Sequence, residues 1–71
     1  MTLLEAKKNR EYKIIRVNIA EKGIDSYLFR LGCYKGKPIT VVNNMGSNKI
    51  VVIKDARYSF NSEICKSIEI E

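Results

Sequence analysis

Seventy-one residues, 45% hydrophobic and 30% charged, make one globular domain, residues 1–71, with a thin core and little room for a deep catalytic cleft. The formal charge is +5, but the thirteen Lys and Arg are interleaved with eight Asp and Glu, as on an ordinary solvated surface. There is no histidine, which removes the usual general base, the common nucleophilic triads and the commonest metal ligand.

The chain opens with Thr2-Leu3-Leu4-Glu5, an S/T-x-x-E capping box that predicts a brief helical turn. Asn9 tolerates the left-handed conformation and is expected to end that turn. Residues 11–19 are rich in β-branched side chains and predict strand one. Ile15, Val17 and Ile19 form its apolar face, and Ile14, Arg16 and Asn18 the mixed one. Residues 20–23 read as a polar connection.

The next stretch, residues 25–42, organises the chain. Asp25 or Ser26 can cap a helix in which Leu28 and Leu31 share a face, with Tyr27 one turn before Leu31. Arg30 lies in its last turn, where a cation meets the negative end of the dipole. Gly32 stands where a left-handed residue would stop the helix. Gly36 takes the positive-φ position of a turn over residues 34–37, and Pro38 starts a strand because it has no N–H to donate.

Strand two covers residues 37–42. The turn formers of residues 43–48 lead into strand three, residues 49–54. Ile39, Val41, Ile50 and Val52 are read as interior, so Val42, Val51 and Ile53 point outward. There the helix or a terminus covers them, or they form an apolar docking patch rimmed by Lys37, Lys49 and Lys54. Asp55-Ala56 is read as a tight turn with Asp55 in the strained position, followed by strand four, residues 57–60. Asn61 caps one helical turn, and strand five, residues 67–70, presents Ile68 and Ile70 to one side. The class is mainly β: a small five-stranded barrel with a short helix between strands one and two.

Cys33 and Cys65 stand thirty-two apart without a C-x-x-C pair, so they are read as free, packed thiols rather than metal ligands or a disulfide. Gly32 and Gly36 lack the Lys-Ser/Thr of a phosphate loop. No catalytic residue, metal ligand or cofactor site is assigned. The run Ile50-Val51-Val52-Ile53 is too short to span a membrane, and the charged opening residues lack a signal-peptide pattern, so a cytoplasmic location is expected. Tyr27, Phe29, Tyr34, Tyr58 and Phe60 lie near Arg30, Lys35 and Arg57, which is the raw material of a single-stranded nucleic-acid platform. Tyr27, Phe29 and Phe60 are nevertheless read first as core or core-edge bulk.

These residues resemble the ferrous iron transport protein A (FeoA) family. The likeness rests on the capped turn Thr2-Leu3-Leu4-Glu5 and on the Leu31-Gly32-Cys33-Tyr34-Lys35-Gly36 core. It is completed by strand four, the Asn61-capped turn and Ile68-Glu69-Ile70. The family's usual glycines after the first turn and before strand four look replaced by Asn9 and Asp55. The resemblance implies an SH3-like barrel without catalysis. It also implies a cytosolic partner, the GTP-binding region of the membrane ferrous iron transporter (FeoB type), with weak self-association left open. Candidate partner-binding residues are Phe29, Arg30, Leu31, Tyr34, Val42, Val51 and Ile53, with Gly32 and Gly36 as structural turns. The alternative is a small nucleic-acid-binding barrel. The two differ in whether affinity collapses with salt, as it does when phosphates are neutralised.

Overall fold

The computed structural model describes residues 1–19 and 21–71. A 3-10 turn at Leu3–Glu5 is followed by β1 (Glu11–Val17), α1 (Ile24–Leu31), β2 (Pro38–Met45), β3 (Asn48–Ile53), β4 (Ala56–Phe60), α2 (Ser62–Ser67) and β5 (Ile68–Ile70). All strand pairs are antiparallel, in the order β4-β3-β2-β1-β5. All five strands contribute to one core: Tyr12 and Ile14, Ile39 and Val41, Val51 and Ile53, Phe60, Ile68 and Ile70, closed by Leu3, Leu28, Cys33 and Cys65. The mainly β, five-stranded architecture with its helix between β1 and β2 is as the sequence implies.

Local signals account for most of the element ends. The Glu5 carboxylate accepts from the Thr2 N–H at 2.7 Å and from its hydroxyl at 3.3 Å, so the opening turn closes through its acidic arm. Asn9 adopts φ 66° as expected. Asn61 Oδ1 accepts from the Ile64 N–H at 2.9 Å and caps α2. The predicted connection over residues 20–23 begins at Ala20, outside the described residues.

Two β-bulges account for the side chains whose facing the alternating pattern gets wrong. In β1, Ile14 pairs with Ile70 but Arg16 with Glu69, so one residue is unpaired between them. The interior set is therefore Tyr12 and Ile14 before the bulge and Val17 after it, rather than an unbroken run through Ile15. In β2 the register shifts between Val41 and Asn43. Asn43, Asn44 and Met45 extend the strand instead of forming a loop, and only Gly46-Ser47 remain as the hairpin turn. Gly46 has φ 63° at the first central position, as a II′ turn needs.

The facing of β3 corrects the expectation for Val51 and Ile53. Val41 is buried and pairs directly with Val51, and directly opposed residues of an antiparallel pair share a face. Val51 and Ile53 are thus interior, at 0% and 1% exposure, while Ile50 and Val52 stand half-buried on the outer face. The turn before β4 is also one residue earlier than read: Lys54, not Asp55, takes the positive φ, at 59°.

Candidate partner-binding surface

The surface is built around the two ends of α1. Its N-cap is Gly23 at φ 93°, two residues before Asp25, whose carboxylate instead accepts from the neighbouring Ser26 N–H at 2.8 Å. At the other end Gly32 has φ 94°. Its N–H donates to the Phe29 carbonyl at 3.0 Å and the Cys33 N–H to the Leu28 carbonyl at 2.9 Å, the paired bonds of a Schellman stop. The chain then turns at once: the Lys37 N–H donates to the Tyr34 carbonyl at 3.1 Å, with Gly36 at φ 90°. The Gly36 N–H donates to the Ile14 carbonyl at 2.7 Å and pins that turn to β1.

An eight-residue helix has one narrow inward stripe. Ile24, Leu28 and Leu31 fill it, with Leu28 fully buried and the other two packed on the core. Phe29 is one residue, about 100°, round from Leu28 and therefore points out. It is 62% exposed and Tyr27 is 45% exposed, so neither is the core bulk the sequence suggested; Phe60 is.

The helix stop and the pinned turn bring Phe29 against Tyr34, with ring centroids 4.7 Å apart and planes inclined by 29°. The Lys37 ammonium lies 5.2 Å from the Tyr34 centroid. Beside the rings runs a cleft of about 500 Å³ whose walls include Val17, Asp25, Ser26, Phe29, Arg30 and Cys33, closed by Tyr34 and Lys35. Arg30, Lys35 and Lys37 outnumber the one carboxylate, Asp25, so the locality is basic. Burial pushes the Cys33 thiol up to about 12, helped by Cys65, so at the cleft floor it is a neutral, apolar thiol.

Of the seven candidate residues, Phe29, Arg30 and Tyr34 come together here. Leu31 adjoins them but turns inward, and Val42 is half-buried on β2, outside the cleft. Val51 and Ile53 belong to the core and cannot meet a partner in the folded chain. Val17, Asp25, Ser26, Cys33 and Lys35 line the cleft but are not among those candidates. Lys35 was detectable as the central residue of the Gly36 turn, but the β1 bulge that delivers Val17 has no local signature. Of the five aromatic candidates for a base-stacking platform, only Phe29 and Tyr34 meet at the surface; Phe60 is buried and Tyr58 packs on the core.

Among the described residues no three His, Cys, Asp or Glu side chains are grouped as metal ligands. Among the described residues no helix is long and apolar enough to cross a membrane.

Comparison with known proteins gives a family match over the whole chain: the FeoA domain model covers residues 1–71. A search of curated proteins finds no match. Among solved structures, the chain is similar to the FeoA of Stenotrophomonas maltophilia complexed with zinc, described as a prokaryotic SH3 domain protein. That pair shares 22% identity at TM-score 0.88, over 100% of this chain and 89% of that one. It is also similar to the iron(II) transport protein A of Clostridium thermocellum, at 19% identity and TM-score 0.90, over 100% of this chain but 44% of that one. A third similar structure is an iron uptake regulatory protein, again a FeoA, at 12% identity and TM-score 0.85, covering 100% and 95%. At these identities the likeness establishes the fold, which is SH3-like.

Proposed function

The chain belongs to the FeoA domain family, and on that premise we propose that it is a non-catalytic, cytosolic accessory factor of ferrous iron uptake. Its partner in this reading is the cytosolic GTP-binding region of the membrane ferrous iron transporter (FeoB type), which it binds and modulates without entering the bilayer. The Stenotrophomonas FeoA is itself described as a candidate ferrous iron transport activating factor, which supports the same role here. Iron is the transporter's cargo, and the proposal assigns this chain no cofactor.

The observation that carries the binding role is the Phe29 ring, 62% exposed and stacked on Tyr34. Apart from its stack on Tyr34, the exposed part of the phenyl ring buries no apolar area in the isolated chain. On a partner it supplies an apolar anchor, and Arg30, Lys35 and Lys37 around it favour an acidic face. The cleft beside it offers one carboxylate and no histidine, so no acid–base pair for catalysis is assembled there. The nucleic-acid reading has less support, because only two of the five aromatic candidates, Phe29 and Tyr34, stack together at the surface, while Phe60 is buried and Tyr58 packs on the core.

The cellular test is complementation. Ferrous iron uptake in cells lacking this chain is expected to return with the wild-type gene and to stay low with Phe29→Ser or Arg30→Glu at equal protein level. Full rescue by both variants would remove this surface from the account.

A further inference from the structure

A second groove, of about 400 Å³, lies beside α1 and is opposite in charge to the first. Ile19, Ile24 and Ile64 give it an apolar floor, and Glu21 and Glu63 stand at its rim with Asn61 and Ser67. All three isoleucines are half-buried and pack on the core, so the floor is preformed. Lys66 lies 3.7 Å from Glu63, but both side chains are exposed, and such a pair exchanges partners freely.

The two sites share no lining residue. Ile24 and Phe29 are five residues apart on one helix, which turns them about 140° from each other around its axis. One copy can therefore offer its aromatic ridge to one neighbour and its groove to another. The ridge is apolar with a basic rim, and the groove is apolar with an acidic rim. Each supplies what the other lacks.

We propose that this chain self-associates head to tail, the Phe29 and Tyr34 rings and Arg30 of one copy seating in the Ile19, Ile24 and Ile64 groove between Glu21 and Glu63 of the next. Because ridge and groove are different surfaces, the contact is heterologous and does not close on itself at two copies. Both patches are small, so the contact belongs to the weak, transient class. The rim charges make it weaken as salt rises. The inference does not depend on the transporter as partner.

The test is sedimentation velocity on the full chain up to about 1 mM, a range in which weak contacts populate. A ridge variant carries Phe29→Ser with Arg30→Glu, and a groove variant carries Glu21→Lys with Glu63→Lys. All four positions are exposed, so folding is checked simply by an unchanged thermal melt. The wild type is expected to grow in mean mass with concentration, and more so at low salt. Each variant alone is expected to stay monomeric. An equimolar mixture of the two retains one intact ridge and one intact groove, so it is expected to form a 1:1 dimer that grows no further. Three results overturn the proposal: a monomeric wild type at every concentration, a groove variant that still associates alone by pairing ridge to ridge, or a mixture that forms no dimer.

Discussion

Gly32 and Lys54 meet across the end of α1, and each holds a positive φ, 94° and 59° respectively. The Lys54 stem lies over the glycine so closely that a Cβ on Gly32 would stand 2.9 Å from Lys54 Cε and 3.3 Å from Ile53 Cγ2. The lysine end is mobile and can move aside. Ile53 is a core side chain and cannot. Helix stop, β3-to-β4 turn and core are thus joined at one contact. Gly32→Val meets both the steric limit and the φ penalty, and is expected to lower unfolding stability by about 2 kcal/mol or more. A denaturant melt without loss would contradict this packing.

Lys54 has the opposite expectation. A lysine in the left-handed region carries a backbone cost of about 1–2 kcal/mol, which glycine relieves at the expense of chain entropy. Lys54→Gly is expected to change stability by a gain of up to about 1 kcal/mol, read from the same melts.

The facing of β3 is tested by truncation. Ile53→Ala removes core volume and is expected to cost about 2–4 kcal/mol. Val52→Ala, on the outer face, is expected to cost less than about 1 kcal/mol. A larger cost for Val52→Ala than for Ile53→Ala would restore the opposite facing.

The cysteines give a pH prediction. Burial raises the Cys33 thiol from 9.0 to about 12 and raises Cys65 as well. A group whose folded pKa lies above its unfolded one binds its proton more tightly when folded. Its contribution to stability is therefore complete below about pH 9 and is lost as pH climbs toward 12. At neutral pH both thiols are expected to react with an aromatic disulfide reagent only after denaturant is added. Rapid labelling of the native chain would contradict their burial.

Much of this fold is written in local signals. The Thr2 and Glu5 pair, Asn9, the stops at Gly32 and Gly36, and the Asn61 cap each act through their own backbone neighbours, so spacing alone locates them. The facing of β3 is different. Ile50-Val51-Val52-Ile53 has no alternation, and its interior set depends on which residue of β2 lies opposite. That partner lies beyond a bulge whose position no residue type announces. The candidate surface divides the same way. The nearness of Phe29, Arg30 and Tyr34 follows from the two glycines and is legible in the spacing. The outward facing of Phe29 is not, because it depends on which stripe of α1 meets the core. The facing of Val51 and Ile53 is hidden in the same way, because register is a long-range property.

The central claim is that the Phe29 surface binds the cytosolic GTP-binding region of a ferrous iron transporter. The most direct measurement is a calorimetric titration of that region with the wild-type chain and with Phe29→Ser, at low and at physiological salt. An apolar anchor with a basic rim predicts saturable binding that weakens only modestly as salt rises, and at least about a tenfold loss of affinity in the variant. No binding to that region, together with tight binding to single-stranded RNA or DNA that falls steeply with salt, would contradict the account.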